Sequence, residues 1–137
     1  MNFYKFSIYE TEERLKYIED NFSEEEKEQI GNIDCLTFDE RISKYENVSY
    51  IYTDEKNINS IVEILYSNEV KFKYSDITQA ILTEEYKFKN KEFRKLQINY
   101  IEKNIKLDDI LDKINKKGID SLSELELIYL NIFSKSF

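Results

Sequence analysis

The sequence predicts an α+β protein. A small sheet of about three or four strands lies within residues 1–75 and is covered by helices; an all-helical C-terminal half follows and ends in a helical hairpin. Three observations carry this expectation. Apolar and polar residues alternate in three short stretches of the first half, the period of a half-buried strand. Two of those stretches bracket a helix-length segment, the spacing of a β-α-β unit whose strands share one sheet. Beyond residue 76 the apolar period becomes helical, with cap residues ahead of each run. At 137 residues the chain fits one domain, with an α/β part over 1–75 and a helical part over 76–137.

The elements follow in order. Residues 2–9 put Tyr4, Phe6 and Ile8 on one face of a strand and Lys5 and Ser7 on the other. Thr11 caps a helix whose inner face is Leu15, Ile18 and Phe22. Ser23 to Ile30 extend that helix or begin a second, and Gly31 stops it. Residues 32–46 support two readings, a strand through Ile33, Cys35 and Phe38 or a helix through Leu36, Ile42 and Tyr45. The strand reading gives the first half the ferredoxin-like βαββαβ order. Residues 47–53 are rich in β-branched and aromatic side chains and read as a strand. Asp54 then caps a helix carrying Ile58, Ile61, Val62 and Leu65, which Ser67 and Asn68 end. Val70, Phe72 and Tyr74 alternate with Lys71 and Lys73 as a further strand. Asp76 with Gln79 starts a helix through Ile77, Ala80 and Ile81. Asn90 starts a longer one with Phe93, Leu96, Tyr100 and Ile101 at helical spacing.

The sharpest local signal is at the C-terminal end. Leu107, Ile110, Leu111 and Ile114 have helical spacing, and Gly118 just beyond them supplies the left-handed residue that ends many helices. Lys113, Lys116 and Lys117 suit the negative end of that helix dipole. Ser123 and Glu126 have the spacing of a capping box, worth about 1 kcal/mol, and Leu122 with Leu127 can close as a hydrophobic staple. Ile110 to Ile114, Gly118, Ser121 to Ser123 and Glu126 together resemble a short tail module found at the C-termini of some bacterial rhomboid-type membrane proteins and other uncharacterised chains. That resemblance carries no catalytic residue and so implies no activity. No apolar run here approaches the ~18–20 residues that span a membrane. The final helix is apolar around most of its circumference and calls for cover on several sides. It is the central helix of the domain, or Leu125, Ile128, Ile132 and Phe133 form a partner or homodimer interface.

Composition narrows the chemistry. There is no His, which removes the commonest general base and the triads built on it. One Cys without His makes no structural zinc site, and two glycines make no phosphate-cradling loop. The remaining groupings are Asp34, Asp39 and Glu40 near Cys35; Asp108, Asp109 and Asp112; and Glu84 with Glu85. None has calcium-loop spacing, Asp108 and Asp109 fit a helix N-terminus, and the rest read as solvated surface. No catalytic residue, cofactor or metal site is therefore expected. The lone Cys35 and the lack of a signal-peptide pattern point to the cytoplasm.

Charge is uneven. Residues 1–69 hold 17 acidic and 7 basic side chains, whereas residues 70–137 hold 11 acidic and 13 basic. The basic run Lys87–Lys95, interleaved with Phe88 and Phe93, is the one candidate for nucleic-acid contact. A sequence pI near 4.7 opposes it, and Phe93 falls on an apolar helix face. The acidic stretch offers Glu12, Glu13, Glu19, Asp20, Glu24, Glu25 and Glu26 as either solvated helix faces or a docking face for a basic protein such as a nucleic-acid enzyme. The expectation is a non-enzymatic binding module, an adaptor or an inhibitor of immunity or phage anti-defence type. The alternatives are a homo-oligomerising structural protein and, more remotely, a carboxylate- or metal-dependent enzyme.

Overall fold

The computed structural model describes residues 1–104, 107–122 and 124–135; for residues 124, 125 and 132–135 it describes the backbone alone. The chain forms two compact units, Met1–Thr78 and Gln79–Phe137.

The first unit is built on a four-stranded sheet. Its strands are β1 (Asn2–Ile8), β2 (Leu36–Ser43), β3 (Glu46–Thr53) and β4 (Phe72–Asp76), in the spatial order β2-β3-β1-β4. All neighbours are antiparallel. β3 and β4 therefore point the same way, with β1 between them, and α3 (Glu55–Ser67) joins them. This is the expected β-α-β unit, split by a third strand. With α1 (Glu12–Asp20) and α2 (Glu24–Gly31) between β1 and β2, the unit has the ferredoxin-like arrangement, its first helical crossover divided in two.

Residues 32–46 resolve as a strand that begins later than Ile33. β2 starts at Leu36, and Cys35 lies just outside it, packed against the core. One face of the sheet buries Tyr4, Phe6, Ile8 and Ile51 against Ile18 and Phe22 of the α1 region and Ile58, Ile64 and Leu65 of α3. Each such side chain contributes roughly 1.5–3 kcal/mol by leaving water. Phe6 stacks on Tyr74 at 5.3 Å between ring centres. On the other face Phe3 lies 4.6 Å from Tyr52, and Phe38 stacks on Tyr50 at 6.3 Å.

Caps set the helix starts. Thr11 Oγ1 accepts from the Arg14 N–H at 3.2 Å, and Asp54 Oδ1 from Asn57 at 2.8 Å. Ser23 opens α2 with a complete capping box: the Ser23 N–H donates to Glu26 Oε1 (2.8 Å), and the Glu26 N–H donates to Ser23 Oγ (3.1 Å). α3 ends in a Schellman motif. Val70 donates to the Leu65 carbonyl (3.0 Å) and Glu69 to Tyr66 (3.2 Å), with Glu69 at φ 57° where glycine is usual.

The second unit is helical where described: α4 (Thr78–Leu82, starting at the division), α5 (Lys91–Asn104), α6 (Leu107–Lys117), a 3₁₀ turn (Ile119–Ser121) and α7 (Glu124–Lys135). Asn90 Oδ1 caps α5 by accepting from the N–H groups of Glu92 and Phe93, both at 3.1 Å. Ile101, Ile110, Leu122 and Tyr129 form one core cluster, with Leu107, Ile114 and Leu130 packed on it. Leu111 was expected among them and is instead 43% exposed, as is Leu127. Gly118 ends α6 at φ 83°, ψ 165°, an extended region open in practice to glycine alone rather than the compact left-handed turn. Lys113 Nζ bonds Glu126 Oε1 at 2.8 Å and so ties α6 to α7. Ser123, the other half of the expected capping box, lies outside the described residues, as do the side chains of Leu125, Ile132 and Phe133; Ile128 is half-buried.

Candidate functional site

The acidic candidates sit on α1 and α2, and the structure separates them into four kinds. Glu12 and Glu13, in the first turn of α1, line a cleft of about 220 Å³ together with Arg41 and Lys44. Glu19 and Asp20 close α1, and Glu19 feels Asp39 from β2. Partial burial, then repulsion from Asp39 and Asp20, raises the Glu19 carboxyl above its ordinary value of 4.5. These three carboxylates thus concentrate negative potential where α1 passes the edge of the sheet. Glu24 and Glu25 open α2 and project into solvent, and Glu24 is 94% exposed beside Lys27 at 3.6 Å, a surface pair of small energetic weight.

Glu26 differs from its neighbours and leaves the candidate face. Besides the capping box, its Oε2 accepts from Asn68 Nδ2 at 2.9 Å, and Asn68 also donates to the Ile64 carbonyl at 2.8 Å. The end of α3 therefore holds the start of α2. Hydrogen bonds from Ser23 and Asn68 keep the Glu26 carboxyl below its ordinary value. α2 itself buries no residue; even Ile30 is 41% exposed.

The other acidic groupings have structural roles. The Asp34 carbonyl accepts from Thr53 Oγ1 at 2.9 Å, and Asp39 accepts from Ser49 Oγ. Asp108 and Asp109 lie exposed in the first turn of α6. Burial, then Asp34, pushes the Cys35 thiol up, which disfavours the reactive thiolate. Among the described residues, no three Cys, Asp or Glu side chains converge as a metal site.

Glu84 is a correction. Expected on solvated surface, its side chain is only 8% exposed and is held by Lys87 Nζ (3.0 Å) and Arg94 Nη2 (3.3 Å). Beside it lies a residue the sequence reading passed over. Gln97 is fully buried; its Nε2 donates to the carbonyls of Ile81 (3.0 Å) and Tyr86 (2.7 Å), and its Oε1 accepts from Phe88 N–H (3.2 Å) and Arg94 Nη1 (3.0 Å). The available signal was position: Gln97 falls four residues from both Phe93 and Ile101, on the apolar stripe of α5. This knot occupies the basic run internally. Phe88 and Phe93 are both buried and meet edge to face at 5.0 Å, so neither ring offers a base-stacking surface.

A second cleft of about 260 Å³ is lined by Asn2, Tyr4, Glu55, Asn59, Tyr74 and Asp76. Asp76 Oδ1 is engaged there by the Thr78 N–H at 2.9 Å. No described helix is long and apolar enough to cross a membrane. No curated protein and no solved structure matches the chain. Residues 95–136, the stretch from within α5 to the end of α7 that also holds the tail-like motif, match a family of unknown function, DUF6576.

Proposed function

We propose that this chain is a non-enzymatic protein-binding module, an adaptor or an inhibitor, that docks its acidic α1–α2 face on a basic partner in the cytoplasm. The carrying observation is α2. It contributes no buried side chain, yet its first turn is fixed by a complete capping box and by Asn68. A helix held in place without serving the core is suited to display, because a preorganised surface loses little entropy on binding. What α2 displays is Glu24 and Glu25, and α1 adds Glu19 and Asp20. A partner that binds nucleic acid would present the complementary charge, with these carboxylates standing in for phosphates. The half-buried single thiol accords with a reducing compartment.

The test is affinity capture from the native host, comparing the unaltered chain with a Glu19→Lys/Glu24→Lys/Glu25→Lys variant that leaves Glu26 and its cap intact. Capture should be lost in the variant, and capture by the unaltered chain should weaken as salt rises. Equal capture by both at low salt would remove the electrostatic reading.

A further inference from the structure

β2 is one edge of the sheet and is exposed along nearly its whole length. Such an edge presents unpaired N–H and C=O groups that another strand can take up. We propose that β2 pairs antiparallel with β2 of a second copy of this chain, in the register centred on Glu40. The argument is self-complementarity. About that centre Asp39 faces Arg41 twice across the two-fold axis, and Phe38 lies opposite the bulge residue Ile42. Opposite charges directly across from one another, and aromatic beside β-branched side chains, are cross-strand neighbours that stabilise antiparallel sheets. A two-fold axis perpendicular to the sheet permits only registers centred on a residue, because opposed side chains must share a face. Centring on Asp39 sets Phe38 against Glu40 and Asp39 against its own copy. Centring on Arg41 sets Glu40 against Ile42 and Arg41 against its own copy.

The facing groups have capacity to spare. Arg41 bonds the carbonyls of Glu10 (2.8 Å), Lys44 (3.4 Å) and Ser43 (3.5 Å) through Nη1, leaving Nε and Nη2 unpaired among the described residues. Asp39 receives Ser49 on Oδ1 and keeps Oδ2. Leu36 and Ile42 are each 54% exposed, and Phe38 is already ordered against Tyr50. Two features oppose the pairing. Glu40 meets Glu40 at the axis, and a bulge at Ile42 turns that end of the strand. Together they make the association reversible and concentration dependent. It requires no residue of α1 or α2, although Asp39 lies beside Glu19 and Arg41 lines the cleft with Glu12 and Glu13.

Sedimentation equilibrium on the full chain over a concentration series tests this. A monomer–dimer equilibrium is expected. Asp39→Arg and Arg41→Asp should each weaken it about tenfold or more, since attraction becomes repulsion at two sites. The double exchange D39R/R41D should restore it, an outcome that a folding defect does not produce, and Glu40→Gln should tighten it. A monomer at every concentration would overturn the proposal. So would a dimer indifferent to both single reversals, including one abolished instead by Ile128→Lys on α7, or a loss that the double exchange fails to restore.

Discussion

Two glutamates, Glu69 after α3 and Glu84 after α4, hold the same left-handed backbone at φ 57°. Their surroundings differ. At Glu69 the turn is closed by backbone bonds, and Val70 drops into the apolar core behind it. The Glu69 side chain has no part in this, so the residue carries the conformational cost alone. At Glu84 the side chain is buried between Lys87 and Arg94, and Arg94 in turn bonds Gln97. Identical strain is thus left unanswered in one unit and offset by ionic contacts in the other. The first unit is held by apolar faces, whereas the segment between α4 and α5 adds a polar knot to the buried ring of Phe88.

Removing the knot at its centre should have the largest effect. Gln97→Ala removes four internal hydrogen bonds, to Ile81, Tyr86, Phe88 and Arg94, at a cost of about 3 kcal/mol. Chemical denaturation, with hydrogen exchange at residues 81–97, would measure it; a loss below about 0.5 kcal/mol would mean that the apolar contacts suffice there too. Next in size, Glu84→Gly relieves the backbone but leaves Arg94 without its carboxylate, for a net loss of about 1–2 kcal/mol. Glu69→Gly should do the reverse and stabilise by about 0.5–1 kcal/mol, because nothing is lost with the side chain. Equal signs for these two glycine variants in thermal melts would break the comparison.

The smallest expected effect concerns Glu19. Its raised carboxyl binds a proton more readily in the folded chain than in the unfolded one. The associated stability is full below pH 4.5 and is lost as pH rises through the folded value. Glu19→Gln should therefore be slightly more stable than the parent at neutral pH and level with it in acid. A variant less stable at neutral pH would show that the Glu19 charge is held by a favourable partner.

What could be read in the chain divides along the same line. β1, β3 and α3 were legible because one side of each faces a core, so burial imprints a period on the residues. β2 was not, because an edge strand exposed on both faces has no binary pattern to display. Its late start at Leu36, beyond Ile33 and Cys35, was invisible for that reason. Whether residues 23–30 extend α1 or start a second helix is left open by apolar spacing, and the Ser23–Glu26 capping box, present in the letters, is what decides for a second helix. Reading Glu26 with Glu24 and Glu25 as one acidic face missed that its carboxylate is consumed by the cap. Glu84 and Gln97 were missed because polar side chains are assumed to face water; only their partners, distant in sequence, make burial tolerable.

The sheet order has a consequence for synthesis. β1 leaves the ribosome before both of its neighbours, and neither β3 nor β4 follows it directly. Its ladder stays open on both sides until β3 emerges, and on one side until Asp76 does. Through that interval Phe3, Tyr4, Phe6 and Ile8 travel uncovered, and this nascent segment is where a chaperone has most to shield.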